Sequence, residues 1–463
     1  NTREGTGGWG VSSVAENWST GTIPDANTNV VFDNEYLTGE KILSIHTTSG
    51  FTCNDYTVTS NYGGHQIRVD GTMTINGDFT TQTPGTVTLL SNGSNNSAAI
   101  LNIGGSVIVG VDGDITSNVS YLNIGETTSN QWGGWGGPKN VTIGGDIIMY
   151  ELGKVSFNVN LKGRTADYSN PDIDVKGLIR FEGNGSTNPN LDIINASNPY
   201  TSGDNKQYSI PVEVVLACNG ITGNGVISNN SNGSIDNGPS KAILLLRNDS
   251  DQYFAGWIQD GQNCTTKIVM NGTATQYLTS VNKDHEKPTQ GICFTGGLEI
   301  ISGTLSMRYD HPINHGDLEM RGGKLKNDSV SSAWNVNFTN LIYEGGTIVS
   351  RWNGSNMDVI TLSGGLQKGA GFADGDKFLI EVAATDVSSL TDELIIAWDN
   401  AAQKTDFTED DFEATYFEGY EALFNIKDDG LYLSYIAVPE PASFAVMLGA
   451  LALGLCACRN KRK

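Results

Sequence analysis

Short stretches in which apolar and polar residues alternate follow one another between residues 41 and 360, and Gly, Asn or Asp interrupts them. Alternation of this kind places the apolar side chains on one face of a β-strand, and the interrupting residues are typical of turns. The pattern therefore predicts an all-β chain of many short strands.

Three of these stretches are alike, at residues 101–105, 122–125 and 141–147. Their isoleucines stand at positions 103, 124 and 143, and an earlier copy at 73–78 precedes a longer loop. A repeat of roughly 20–30 residues is typical of one coil of a solenoid, in which each coil buries its apolar side on the next. Because the isoleucines recur near the lower end of that range, we predict an elongated β-solenoid, that is, a parallel β-helix.

A sharper repeat covers residues 253–350. It consists of the segments 253–258, 267–278, 294–305, 316–325 and 343–348. These segments resemble the passenger repeat of autotransporter-type β-helices, in which an apolar residue, Thr and two Gly precede β-branched residues and a Gly-Thr-Leu. The resemblance implies the β-helix fold but no activity, because such helices support adhesins, enzymes and spacers alike.

The open ends of a solenoid must be covered to prevent edge-to-edge pairing. Trp9, Trp18, Val30 and Phe32 are most simply such a cover, and the competing interpretation is a platform on which a sugar stacks. After residue 360 the repeat fades, and we predict strands, a turn at 427–430, and short helices around 392–402 and 408–412. The predicted units are listed in chain order: an N-terminal capping segment (1–40), a solenoid body (41–360), a C-terminal β-rich cap (361–437) and a C-terminal signal (438–463).

The C-terminal signal has three parts. Residues 442–458 carry no charge, and this stretch is at the short limit for a helix that crosses a membrane. A basic end after such a helix stays on the cytoplasmic side. The flanking parts are a Pro-Glu-Pro motif, Val438, Pro439, Glu440 and Pro441, and a basic stop, Arg459, Lys461, Arg462 and Lys463.

This end resembles the PEP-CTERM sorting signal of bacterial exported proteins, with motif, transmembrane helix and basic tail in the same order. The resemblance implies export, transient anchoring in the cytoplasmic membrane, and processing near Pro439 to Pro441 by an exosortase-type enzyme. Such proteins belong to bacteria that make exopolysaccharide, and the resemblance implies delivery to the cell surface or extracellular matrix.

Composition narrows the choice of partners. The chain has 28 Lys+Arg and 51 Asp+Glu, a formal net charge of −23, and its one dense basic cluster is residues 459–463. Binding a phosphate backbone requires a basic surface, so a nucleic-acid partner is not expected. The 57 Gly among 463 residues, with only 17% charged residues, favour a turn-rich β protein over a helical enzyme.

Two groups of residues are candidates for chemistry or binding. The first gathers Asp310, His311, His315 and Asp317 in a predicted loop, where they could bind a metal or act as acid and base in a polysaccharide-active lyase or hydrolase. Chance clustering in a loop of turn-forming residues is the simpler explanation. Asp112 to Asp114 and Asp428 to Gly430 offer oxygen ligands for Ca²⁺, although Asp-Gly also simply makes turns.

The second group is Trp132 and Trp135, which stand in a Gly-rich segment at 132–137. Two flat rings in such a segment suit a carbohydrate-binding module, or they fold over a corner of the solenoid. Weighing these alternatives, we expect an exported structural or adhesive protein with no enzymatic reaction and no resident cofactor. Its expected partners are the processing enzyme, exopolysaccharide or further copies of itself.

Overall fold

The computed structural model describes residues 10–11, 15, 18–32, 43–47, 50–59, 64–69, 71–91, 100–113, 119–125, 138–157, 166–183, 188–193, 213–229, 239–261, 264–279, 291–308, 311–327, 334–398 and 405–438. In these residues the chain winds into a solenoid whose coils run along three sides. We call the three sides of the solenoid faces A, B and C, in the order in which the chain visits them.

Apart from the last two strands of face C, the strands of each face are parallel and stack on the equivalent strands of the neighbouring coils. Face A consists of Phe51–Cys53, Thr72–Ile75, Ile100–Ile103, Asn140–Ile143, Ile173–Val175, Glu213–Cys218, Ser240–Leu246 and Leu366–Lys368. Face B consists of Val30–Phe32, Tyr56–Val58, Phe79–Thr81, Val107–Val109, Ile147–Tyr150, Ile179–Glu182, Ile221–Gly223, Gln252–Phe254, Phe378–Ala383 and Phe412–Ala414. Four long strands run through both faces: Cys264–Leu278, Leu298–Met307, Leu318–Asn327 and Leu341–Arg351.

Face C comprises a 10-stranded sheet and a 6-stranded sheet that follows it along the chain. The first contains Gly10–Val11, Leu43–Thr47, Gly64–Val69, Gly85–Ser91, Ser120–Ile124, Gly153–Phe157, Asn190–Asp192, Val226–Ser228, Trp257–Gln259 and Ile292–Cys293. The second contains His311–Asn314, Asn335–Phe338, Val359–Leu362, Glu393–Trp398, Tyr420–Lys427 and Gly430–Ala437. The prediction of an all-β solenoid is confirmed in these described residues.

The predicted coil length in the early repeat is wrong. Ile103 pairs directly with Ile143 and skips the copy between them, whereas Ile124 lies on face C between Leu89 and Phe157. The error arises because faces A and C both need apolar residues at alternate inward positions, so the same short pattern occurs twice in one coil. The earlier copy does stack as expected, since Ile75 pairs with Ile103.

The later repeat has shorter and more regular coils. Leu298 pairs with Leu318, and Leu318 pairs in turn with Leu341. Three of the four long strands turn from face A to face B at a glycine with positive φ, 74° at Gly303, 61° at Gly323 and 94° at Gly346. Glycine is needed there because residues with a Cβ rarely adopt this conformation.

The corner between faces A and B in the early coils depends on close contact between backbones. The amide of Gly104 donates to the carbonyl of Ile75 at 2.7 Å, and the amide of Gly144 donates to that of Ile103 at 2.7 Å. A Cβ at Gly144 would lie 2.1 Å from the carbonyl oxygen of Gly104. Any side chain at this position would therefore force the two coils apart.

The same corner carries a chain of side-chain hydrogen bonds from coil to coil. Asp78 N donates to Asp55 Oδ1 at 3.0 Å, and Ser106 N donates to Asp78 Oδ1 at 2.7 Å. Asp146 N then donates to Ser106 Oγ at 3.1 Å, and Leu178 N to Asp146 Oδ1 at 2.8 Å. Each polar side chain thus satisfies an amide of the next corner, where strand pairing is interrupted.

Aromatic side chains cover the first coils. Trp18 stacks on Phe51, with ring centroids 6.1 Å apart, and Phe32 lies 5.5 Å from Tyr56. Tyr56 in turn stacks on Phe79 at 5.5 Å. These contacts place Trp18 and Phe32 at the end of the core, where the predicted cover was assigned; Trp9 lies outside the described residues.

A second aromatic cluster lies in the last coils. Tyr343 stacks on Phe378 at 4.0 Å, and Phe412 lies 5.3 Å from both Phe378 and Phe424. Phe424 belongs to an antiparallel hairpin formed by the last two strands, in which Lys427 pairs with Gly430. The predicted turn at 427–430 is thus confirmed, and the hairpin ends the parallel stacking on face C.

Of the two predicted helices, the one around 392–402 is a strand where the structure describes it, and the one around 408–412 is a short 3-10 helix. Glu393–Trp398 is a strand that pairs in parallel with face C, and a 3-10 turn, Glu409–Asp411, occupies the second position. The burial of Ile396 and Trp398 in the core outweighs the helix-compatible composition. No helix of the described residues is long and apolar enough to cross a membrane, and residues 439–463 lie outside them. The unit boundaries at 40, 360 and 437 stay predictions.

The corner contact predicts that Gly144→Ala destabilises the solenoid by about 3 kcal/mol, the upper range for overpacking, because the clash is with backbone. Urea unfolding followed by circular dichroism measures this. Gly345→Ala is the matched control, since the nearest backbone oxygen, that of Arg321, would be 3.1 Å from the new Cβ. Equal midpoints for the two variants would contradict the close-contact explanation.

Candidate functional sites

Several predicted site residues lie outside the described part of the chain, so their roles stay predictions. They are Trp132, Trp135, Asp310, Pro439, Glu440, Pro441, Arg459, Lys461, Arg462 and Lys463.

His315 faces the core of the solenoid. Its Nδ1 donates to the carbonyl of Phe294 at 2.9 Å, and its ring lies 4.5 Å from that of Phe294 and 5.7 Å from that of Phe338. Burial lowers the pKa of His315 to about 4, so the ring is neutral at pH 7. The side chain packs between coils, as an apolar residue would.

Asp317 contacts a different neighbour. Its Oδ1 accepts from Asn340 Nδ2 at 2.9 Å, which joins two successive coils. The backbone of His311 pairs with Val336 on face C. Among the residues that the structure describes, no three His, Cys, Asp or Glu side chains are arranged as ligands of a metal ion.

The predicted Ca²⁺ ligands at 428–430 form the closing hairpin. Asp429 Oδ2 accepts from the hydroxyl of Tyr432 at 2.9 Å, and the carbonyl of Asp428 accepts from Trp398 Nε1 at 3.0 Å. These bonds explain the acidic turn as a structural feature. At the other predicted Ca²⁺ site, Asp112 to Asp114, the backbone N of Gly113 donates to Glu151 Oε2 at 3.2 Å. Asp114 lies outside the described residues.

Face A carries a cluster of charged side chains on its outer surface. Lys267 Nζ lies 2.7 Å from Glu299 Oε2 and 3.0 Å from Glu319 Oε1. Arg321 Nε lies 2.8 Å from Glu299 Oε1, and Arg321 also pairs with Glu319 at 2.9 Å. Burial alone would lower the pKa of Lys267, but the contacts with Glu299 raise it, so the ammonium stays charged. The charges neutralise one another within the cluster.

A segment at 166–170 crosses the outside of face A and reaches this cluster. The hydroxyl of Tyr168 donates to Glu299 Oε2 at 2.9 Å, and Ala166 N donates to Glu213 Oε2 at 3.0 Å. Both residues pack against outward-facing apolar side chains that are fully buried. These are Val215, Ala217, Ile243, Leu245 and Val269. The segment is therefore a strap that covers an apolar patch, and the charged cluster holds its end.

A buried carboxylate lies on face C. Asp192 is fully buried, and its Oδ2 accepts from Ser156 Oγ at 2.9 Å and pairs with Lys154 Nζ at 2.9 Å. Its Oδ1 accepts from Ser228 Oγ at 2.8 Å. The pairing of three successive coils places the two serines above and below the carboxylate, so the group is satisfied as a structural bridge.

The outer surface of face B carries a pair of aromatic rings that sequence analysis missed. Tyr253 and Tyr277 stack at 4.3 Å with an angle of 2° between the ring planes, and Tyr253 is 55% exposed. The rings belong to successive coils, because Tyr253 pairs with Tyr277 across the strands. In the sequence the two tyrosines are well separated, and only the register of the strands shows that they are neighbours.

The Pro-Glu-Pro motif directly follows the last strand that the structure describes. The last strand stops at Ala437, and Val438 N donates to the carbonyl of Gly419 at 2.8 Å. Val438 is 46% exposed. A cut after this point would leave every described strand intact.

Comparisons with protein-family models, curated proteins and solved structures gave no match.

Because His315 is buried in its neutral form, we predict that the fold loses stability in acid. Unfolded His315 takes up a proton below its ordinary pKa of 6.5, whereas folded His315 does so only near pH 4, so the free energy of unfolding falls as the pH decreases through this window. The contribution is about 2 kcal/mol between pH 7 and pH 4.5. We expect His315→Asn to lose less stability than wild type over this range, measured by urea unfolding. Identical losses would show that His315 does not titrate as its burial requires.

Proposed function

We propose that the protein is an exported structural or adhesive component of the bacterial cell surface or extracellular matrix, released from the membrane by removal of residues after the Pro-Glu-Pro motif. The observation that carries the proposal is the position of this motif directly behind the closing hairpin. Val438 is exposed and the last strand is complete at Ala437. Cleavage near Pro439 to Pro441 would therefore remove none of the strands that the structure describes.

In this proposal the tail acts before the body does. Residues 442–458 anchor the exported chain in the cytoplasmic membrane as a helix, and Arg459, Lys461, Arg462 and Lys463 hold its end on the cytoplasmic side. An exosortase-type enzyme then cuts the chain near Pro439 to Pro441. The resemblance to the PEP-CTERM signal supports this sequence of events.

The body suits a spacer. Each coil adds about 4.8 Å along the axis, so stacked coils hold the two ends of the rod apart. Aromatic clusters around Trp18 and Phe412 limit contact of the core with solvent at the two ends. The charged groups described above, Lys267 and Asp192 among them, are engaged in bonds between coils. The proposal accordingly assigns no reaction to the protein.

The proposed location at the cell surface or in the matrix suggests the binding partners of the protein. The matrix around such a cell consists of exopolysaccharide, and the rod would contact this polymer or further copies of itself. The net charge of −23 favours a hydrated, soluble surface over one that associates with acidic polymers by charge.

The proposal predicts that protein isolated from the native cell surface ends near Pro439 to Pro441, as measured by intact mass. A variant with Pro439→Ala, Glu440→Ala and Pro441→Ala together should keep Lys463 and stay in the membrane fraction. Glu421→Ala, an exposed change in the preceding hairpin, is the control and should be processed like wild type. Wild-type surface protein that retains Lys463 would refute the release step.

A further inference from the structure

The strand Tyr420–Lys427 lies at the edge of the second sheet of face C. One side of it pairs with Gly430–Ala437, and no described strand pairs with the other side. The hairpin pairing runs along the whole strand without a bulge, and the strand contains no proline. A long and regular edge of this kind is a template on which a further strand can pair.

The backbone of this edge strand offers hydrogen-bonding groups to such a strand. Lys427 and Gly430 close a two-residue turn, so the odd-numbered residues of the strand bond to the other arm of the hairpin. The even-numbered residues then direct their N–H and C=O groups toward the edge. Within the part of the chain that the structure describes, these groups of Ala422 and Phe424 have no hydrogen-bond partner.

The two ends of this open stretch are marked by local contacts. Tyr420 N donates to the carbonyl of Phe417 at 3.1 Å. Ile426 N donates to Glu409 Oε1 at 3.3 Å, and Glu409 is exposed. A long bond to an exposed carboxylate is easily exchanged for another acceptor. The stretch that is open to pairing therefore runs from residue 421 to residue 427.

The side of the edge strand that faces the core is only partly covered. Its inward side chains pack against the core but remain half-buried: Tyr420, Ala422, Phe424 and Ile426. In the adjacent strand, which has a neighbour on both sides, Leu431 and Leu433 are fully buried. On the outer surface, Leu423 is 44% exposed. A further strand would therefore add apolar contacts to the backbone hydrogen bonds.

The charges of the strand lie near its two ends. Glu421 is exposed near the start, and Lys427 is the last residue. Lys427 Nζ lies 2.5 Å from Asp392 Oδ2 and 3.8 Å from the ring centroid of Tyr432, which together hold the ammonium on the outer surface. Two copies of the strand placed antiparallel about Phe424 bring Glu421 of each copy opposite Lys427 of the other. The strand is thus complementary in charge to itself.

We propose that two copies of the chain associate through this edge, with Tyr420–Lys427 of one copy antiparallel to the same strand of the other. The two-fold axis lies at Phe424, which pairs with Phe424 of the second copy, and Ala422 pairs with Ile426. Ile426 N then leaves Glu409 and donates to the carbonyl of Ala422. Since both copies use the same surface, the contact closes on itself and gives a dimer of two rods joined at their C-terminal ends.

This inference deepens the proposed function, since it names the surface through which the rod meets a further copy of itself, and it rests on that function only for the cellular setting. The association is a property of the purified chain. The outer surfaces of the two joined rods stay available to the matrix polymer.

The first test is sedimentation velocity of the purified full chain over a range of concentrations, in a detergent that keeps residues 442–458 from associating. We expect a dimer. Ala422→Pro removes an edge-facing amide that has no partner within the described chain, which an edge strand tolerates. It should raise the dissociation constant about tenfold, because the dimer loses one hydrogen bond at each of two symmetric positions. Wild type that is monomeric at every concentration would overturn the inference.

The second test exchanges charges and leaves the backbone intact. Glu421→Lys and Lys427→Glu each place like charges opposite one another and should each weaken the dimer about tenfold. An equimolar mixture of the two variants should recover wild-type affinity, because opposite charges then meet at both positions. Glu413→Lys makes the same change in net charge at an exposed position of the neighbouring strand Phe412–Ala414 and should dimerise like wild type.

Thermal unfolding of each variant separates loss of association from loss of fold. A dimer that persists in Ala422→Pro and in both charge variants, or a mixture that does not recover, would show that the contact lies elsewhere and would reject the pairing.

The outcomes also separate this inference from the proposed function. A dimer with the expected charge dependence, in a protein whose surface form retains Lys463, would uphold the strand pairing and reject release from the membrane. A monomer in a protein that is processed near Pro439 to Pro441 would uphold release and reject the pairing.

Discussion

Parallel stacking in register is the constraint on which the rest of this structure depends. Each residue lies about 4.8 Å above the equivalent residue of the preceding coil, so its environment is set by two residues that are distant in sequence. An inward position must be apolar in coil after coil, as Leu298, Leu318 and Leu341 show. A corner at which backbones touch, as at Gly104 and Gly144, must likewise stay free of side chains.

The same constraint leaves the two ends of the solenoid, and apolar residues on its outer surface, without a neighbouring coil to cover them. Within the body, the neighbouring coils supply the partners of each strand, whereas the first and last coils have a neighbour on one side only. Aromatic side chains cover the core at these two ends, where Trp18 packs on Phe51 and Phe412 packs against Phe378. On the outer surface of face A, the strap at Tyr168 resolves a similar problem for apolar residues that point away from the core.

The alternation of apolar and polar residues was sufficient to predict the fold class, because burial of alternate residues is what parallel coils require. It was insufficient to predict the register, because Leu101 and Leu122 begin similar stretches on different faces. Coil length also varies with the loops between strands: Leu298 stacks on Leu318 after a short coil, whereas Leu101 stacks on Val141 after a much longer one. Local sequence carries no information on which strand a stretch will join. The strand Glu393–Trp398 shows the same limit, since its pairing overrides its helix-compatible composition.

Candidate sites were harder to predict than strands for a related physical reason. The proposed sorting motif is contiguous, so the sequence alone suggests it, whereas His315 could be assigned to the core only once its neighbours Phe294 and Phe338 were known. Outward rows are assembled from one residue per coil. Which side chains become neighbours in such a row depends on register, which alternation does not determine. In a solenoid, binding surfaces are therefore encoded at the spacing of the coils, and the loops that set this spacing also decide which side chains meet.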